Sequence, residues 1–137
     1  MCDCLPRRSV VLDKLRSGKK ALSFTTNFAC ARATELAALA GFDCVWLCGE
    51  HVPMDNSEME KQILAAKARN CDTIVRVPKG SYSDFIRPLE ADATGIMIPH
   101  LMSADEAREI VRKTRFHPLG RRPVDGGNAD GLFCRLP

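Results

Sequence analysis

An α/β fold of about four parallel βα units is what this 137-residue sequence predicts, and three observations carry the prediction. Short apolar runs recur at 21–26, 43–48, 73–77 and 95–99, and each is followed by a segment whose apolar residues have helical spacing. The runs are apolar nearly throughout, as strands are when helices cover the sheet. Two of the intervening segments open with the helix-start pattern Ser-x-x-Glu, at Ser57 to Glu60 and Ser103 to Glu106. Strand and helix in strict alternation imply parallel neighbours joined by right-handed crossovers.

The elements follow in order. Ser9 to Lys20 reads as a short amphipathic helix, with Val10, Val11 and Leu15 on one side and Gly18 as its stop. ALSFTT (21–26) is the first strand, CARATELAALAG (30–41) a helix closed by glycine, and DCVWLC (43–48) a β-rich second strand. From the Ser57 box a helix runs to about Ala68; TIVRV (73–77) is the third strand and Ser81 to Glu90 the next helix. GIMIP (95–99) is the fourth strand, and the Ser103 box opens a helix to about Arg115 in which Glu109 and Lys113 pair at i, i+4. Beyond it, 116–137 is rich in glycine and proline and reads as a long loop or truncated tail, not as a fifth unit. GGNADG (126–131) resembles a phosphate cradle only superficially, since it neither follows a strand nor opens a helix and lacks the lysine.

Length and composition fit one domain, 1–137. A hydrophobic share of 45%, a charged share of 27% and a net charge of +3 are ordinary for a globular chain and argue against a nucleic-acid partner. The apolar runs are too short to span a membrane, and MCDCLPRRSVVLDKL lacks the apolar core of a signal peptide, so a cytoplasmic location is expected. Seven cysteines, at 2, 4, 30, 44, 48, 71 and 134, lie mostly in apolar runs and read as reduced thiols. Neither Cys2-x-Cys4 nor the Cys44 to Cys48 spacing matches a structural zinc site.

Parallel α/β folds gather ligand groups at the C-terminal ends of their strands. Here those ends hold Thr25, Thr26 and Asn27, then Cys48, Glu50 and His51, then Arg76, then Pro99 and His100. A histidine that moves protons near neutral pH and an arginine whose planar fork suits a carboxylate make a small-acid site. Glu50 is equally suited to contacting a metal-bound water or to capping the turn. His100 and His117 read as structural or exposed.

The combination of GFDCVWLCGEHVPMD, IVRVP and SDFIRPLEADATGIMIPHLMSADEAREIVRKTRFHPLGRR, from about Leu15 to Arg122, closely resembles the HpcH/HpaI aldolase family. The resemblance implies a (β/α)8 barrel of TIM type, of which this chain is the first half. It implies a metal-dependent class II aldolase that cleaves 4-hydroxy-2-oxo acids to pyruvate, or a related 2-oxo acid, and an aldehyde through an enolate. It places His51 as the acid/base on the 4-hydroxyl, Arg76 as the group that binds the pyruvate end, and Glu90 where an aspartate pairs with the histidine. The cofactor implied is a divalent metal, Mg2+, Mn2+ or Co2+, whose acidic ligands belong to later strands, so none is assigned here. Relatives of this kind are typically hexamers, which implies a homo-oligomer. The chain departs from the family with Cys48 in place of an aspartate and Thr25 in place of a tryptophan. A non-catalytic 2-oxo-acid-binding or assembly fragment without the metal site is the alternative reading.

Overall fold

The computed structural model describes residues 6–135, so Cys2 and Cys4 lie outside the described residues. Four strands, β1 (Ser23–Thr25), β2 (Cys44–Cys48), β3 (Asp72–Arg76) and β4 (Gly95–Met97), lie side by side in chain order, all parallel. The crossovers are α2 (Ala31–Leu39), α3 (Asn56–Lys67) and α4 (Tyr82–Glu90); α1 (Val10–Arg16) precedes the sheet and α5 (Ala104–Thr114) follows it. The expected α/β alternation is present, with β1 and β4 as open edges.

Local chemistry sets the boundaries. Ser9 caps α1 by accepting a hydrogen bond from the Leu12 amide, and Gly18 at φ 71° supplies the left-handed residue that stops it. The start of α3 differs from expectation: Asp55, not Ser57, is the cap, its carboxylate accepting from the Glu58 amide at 2.8 Å. Asp55-x-x-Glu58 has the same spacing as the serine box two residues later, and the carboxylate that comes first takes the helix start. At α5, Ser103 accepts from the Glu106 amide at 3.1 Å, while the Glu106 carboxylate accepts from Met102. Glu109 and Lys113 do pair across one turn of that helix.

The tail is more ordered than a loop. Residues Ala129–Cys134 form a 3-10 segment that packs on α4. Arg122 anchors it, nearly buried, lying over the Phe116 ring at 4.6 Å and pairing with Asp130. Residues at positive φ (Leu132, Phe133 and Cys134) break any helical period, which hides the segment from pattern reading.

Alternation along each strand separates two faces. Val45, Leu47, Val75 and Val77 join Ala37, Met59, Ile63, Ala66 and Phe85 in the core between sheet and helices. Ile63, at 1% exposure, fills its centre. Ile63→Ala is expected to destabilise the chain by about 2–5 kcal/mol, read as a lowered midpoint in urea at unchanged slope. Trp46, Cys48, Ile74 and Arg76 occupy the other, concave face.

The N-terminal ends of the strands are closed by α1. Asp72, fully buried, accepts hydrogen bonds from Ser9 Oγ at 2.6 Å, the Val11 amide at 2.9 Å and Arg7 at 2.7 Å. Asp43 likewise takes Lys14 and the Leu22 amide. Both carboxyls are held below their ordinary values. For Asp72 burial opposes the shift, and the hydrogen bonds from Ser9, Val11 and Arg7 outweigh it; for Asp43 the Lys14 contact leads.

Candidate active site

The C-terminal ends of the strands carry the opposite chemistry. In the β2–β3 register Cys48 stands opposite Arg76, so their side chains leave the sheet on the same concave face. Gly49 ends β2 by donating its amide to the Arg76 carbonyl at 2.7 Å. A Cβ at Gly49 would sit 3.1 Å from that carbonyl oxygen, so glycine is what lets the Gly49–Val52 turn fold down onto β3.

Glu50 is the hub of the rim. Its Oε2 lies 3.1 Å from Arg76 Nε and 3.4 Å from His51 Nε2, and its Oε1 lies 3.1 Å from His100 Nε2. The Arg76 Nε contact is an ion pair without the alignment of a hydrogen bond. The carboxylate is 13% exposed, whereas the two imidazoles are 69% and 71% exposed, so the acid is fixed and the histidines face solvent. Arg76 is bounded on two further sides: Nη2 donates to Cys48 Sγ at 2.9 Å, and the guanidinium carbon lies 5.0 Å from the centre of the Trp46 ring. Its Nη1 makes no hydrogen bond among the described residues.

His51 and Arg76 are thus brought together, through Glu50. Glu90 is not. As the last residue of α4 it lies at the far end of the sheet, because a crossover helix runs antiparallel to its strand and returns the chain to the N-terminal ends. It lines a cleft of about 290 Å³ with Asn56, Arg87 and Phe133, in the outer helical layer. No contact joins it to His51 among the described residues, so the expected Glu90–His51 pair does not form within one chain. Glu50 takes the place beside the histidine.

His100, set aside in the sequence, belongs to the rim. It sits in the turn after β4 at φ 51°, and Lys79 fixes that turn by donating to the His100 carbonyl at 2.9 Å while pairing with Glu106 at 2.9 Å. The signal was available: adjacent strand order β2-β3-β4 puts the residues after β2 and β4 on either side of Arg76. Thr25 and Thr26 donate to the main-chain carbonyls of Trp46 and Phe28 and take no part in the cluster.

Four parallel βα units with Glu50, His51 and the clamped Arg76 at their strand ends form part of a parallel α/β barrel with a polar cluster at the end where such folds bind ligands. Residues 24–129 match the model of the HpcH/HpaI aldolase/citrate lyase family, and the chain belongs to that family. It is 36% identical over 108 residues to a hydroxypyruvate/pyruvate aldolase of Roseovarius nubinhibens, covering 79% of this chain and 42% of that enzyme. With a 4-hydroxy-2-oxovalerate aldolase of Rhodococcus jostii the identity is 34% over 116 residues, covering 84% and 45%. Among solved structures, an HpcH/HpaI aldolase/citrate lyase family protein of Burkholderia cenocepacia superposes with a TM-score of 0.82 at 30% identity, over 92% of this chain and 52% of that one. The chain therefore spans about half the length of the relatives it matches, and its strands and helices are a part of their barrel.

Proposed function

We propose that this chain carries the oxo-acid half of a carbon–carbon lyase site, which cleaves 4-hydroxy-2-oxo acids to pyruvate, or a related 2-oxo acid, and an aldehyde. The supporting observation is the Arg76 guanidinium, held by Cys48, Glu50 and Trp46 with Nη1 left for a ligand, one carboxylate away from His51. In this reading the substrate carboxylate meets Nη1. His51 removes the 4-hydroxyl proton as C3–C4 breaks; the electron pair of that bond stays on C3 as the enolate, and the new carbonyl leaves as aldehyde. The fixed guanidinium offsets charge that grows on the pyruvate fragment.

The divalent metal implied by the family finds no fitting ligands in this part of the chain. Among the described residues no group of three or more His, Cys, Asp or Glu side chains is arranged to hold a metal ion. Glu50, the rim's partly buried carboxylate, is already shared by Arg76 and two histidines. Ligands for Mg2+, Mn2+ or Co2+ belong to residues outside this set.

Within one chain Glu90 does not meet His51, so a role in orienting it belongs to a homo-oligomer. Exposed Met102, Leu119 and Val124, together with the open β4 edge, support assembly. Among the described residues no helix is long and apolar enough to cross a membrane, which is compatible with the cytoplasmic reading.

The test is NMR-detected exchange of the pyruvate methyl protons into deuterated water with Mg2+ present. Exchange faster than in buffer and Mg2+ alone, and lost with His51→Ala, is the expected result. A folded chain that neither binds pyruvate nor exchanges it overturns the proposal. Binding without exchange identifies the second reading, an oxo-acid-binding or assembly piece, which the two unpaired sheet edges favour.

A further inference from the structure

We propose that Cys48 is a positioning residue for Arg76, its sulfur accepting the hydrogen bond that aims the guanidinium at a 2-oxo-acid carboxylate. The inference rests on the reading of Arg76 as the oxo-acid anchor.

The geometry is that of a three-sided holder. The planar fork of arginine has two edges, one through Nε and one through its Nη atoms. Glu50 stands against Nε at 3.1 Å, Cys48 Sγ accepts from Nη2 at 2.9 Å, and the Trp46 ring covers a face. What remains is Nη1 and its open edge. Remove the sulfur and the fork can pivot about the Glu50 contact, so each binding event must order it again.

The sulfur is itself held. It is 5% exposed, opposite Arg76 in register, and the His51 amide donates to it at 3.3 Å. Glycine at position 49 permits this close seat, since the turn that supplies the amides is pressed onto the Arg76 carbonyl. Burial pushes the Cys48 thiol up, but hydrogen bonds from Arg76 and from the amides of His51, Glu50 and Val52 outweigh it and bring the thiol below its ordinary value. Cys44 and Cys71 show burial unopposed by such a cradle: both are pushed up to about 11. The charged or titratable groups that meet Cys48 are Arg76 from β3 and Glu50 and His51 from its own turn. His100 acts on it only through Glu50, and β1 carries no charged residue.

Two measurements on the full chain test the assignment. In a thiolate-absorbance titration, the difference between wild type and Cys48→Ser is expected to show a thiol that ionises well before Cys44 and Cys71, and Arg76→Gln is expected to move that ionisation upward. In calorimetry with pyruvate, Cys48→Ala is expected to weaken binding about tenfold at an unchanged melting temperature, through loss of a charge-assisted hydrogen bond. Wild-type affinity should rise as pH passes through the thiol ionisation. Cys48→Asp, whose charge is permanent at these pH values, should retain affinity and lose the step. An unshifted thiol, or Cys48→Ala binding pyruvate as wild type does, overturns the proposal. If wild type binds no pyruvate, it is the oxo-acid reading that fails, and the response of the thiol to Arg76→Gln still reports whether the two residues are coupled.

Discussion

Arg76→Ala is expected to weaken pyruvate binding and to slow methyl-proton exchange by at least about a hundredfold, the usual rate loss when a fixed donor to developing charge is removed. The reason is that, among the described residues, no other arginine or lysine meets the Glu50 and Cys48 cluster. Lys79, on the neighbouring loop, is engaged by Glu106 and by the His100 carbonyl. The substitution should leave the fold intact, because the guanidinium is at the rim and the helix-facing core does not touch it. Arg76→Lys should recover little: an ammonium is a point charge that cannot meet Cys48, Glu50 and a carboxylate along separate edges. Calorimetry with pyruvate, beside a melt of each variant, checks both. Retention of wild-type affinity in Arg76→Ala would remove Arg76 from the site.

At the opposite end of the strands, Asp72→Ala is expected to destabilise the chain by about 3–5 kcal/mol, as when one member of a buried charged cluster is deleted. Three donors, on Arg7, Ser9 and Val11, lose their acceptor together. Against a total stability of roughly 5–15 kcal/mol that is a large fraction, and thermal melts should shift down by on the order of 10 °C. The pH dependence follows from the direction of the shifts. Asp72 and Asp43 have folded values below their unfolded ones, so their stabilisation is complete above the unfolded value of about 3.9 and is lost as pH falls through the lower folded values. Asp72→Asn, which keeps an acceptor but no charge, should weaken that acid dependence. An Asp72→Ala chain that melts with wild type would show that α1 contributes nothing to closing the sheet.

Much of this was legible from residue order. DCVWLC and TIVRV identify themselves as covered parallel strands by being apolar nearly throughout, Ser9 and Gly18 mark the ends of α1, and Ser103 marks the start of α5. The rim followed from topology, since parallel strands put their following loops on one end. Three things were not legible. Two overlapping acid–hydroxyl spacings at Asp55 and Ser57 fit the same helix, and only the formed hydrogen bond chooses between them. The anchored segment after Asn128 has no period, being held by Arg122 and Asp130 across a cation–ring stack. Glu90 was placed by likeness to a family, whereas the direction of a crossover helix removes it from the His51 of its own chain. The role of Glu50 needed side-chain rotation in three dimensions: a carboxylate next to a histidine in sequence says nothing about which of two strand ends it will bridge.

Trp46 is the only tryptophan in the sequence, and it lies against the Arg76 guanidinium. An indole with a guanidinium on its face emits differently when that cation moves or is drawn away. The protein therefore carries its own optical reporter. Ligand arrival, a change at the neighbouring sulfur and loss of the sheet all pass through a single chromophore, with no label to perturb them.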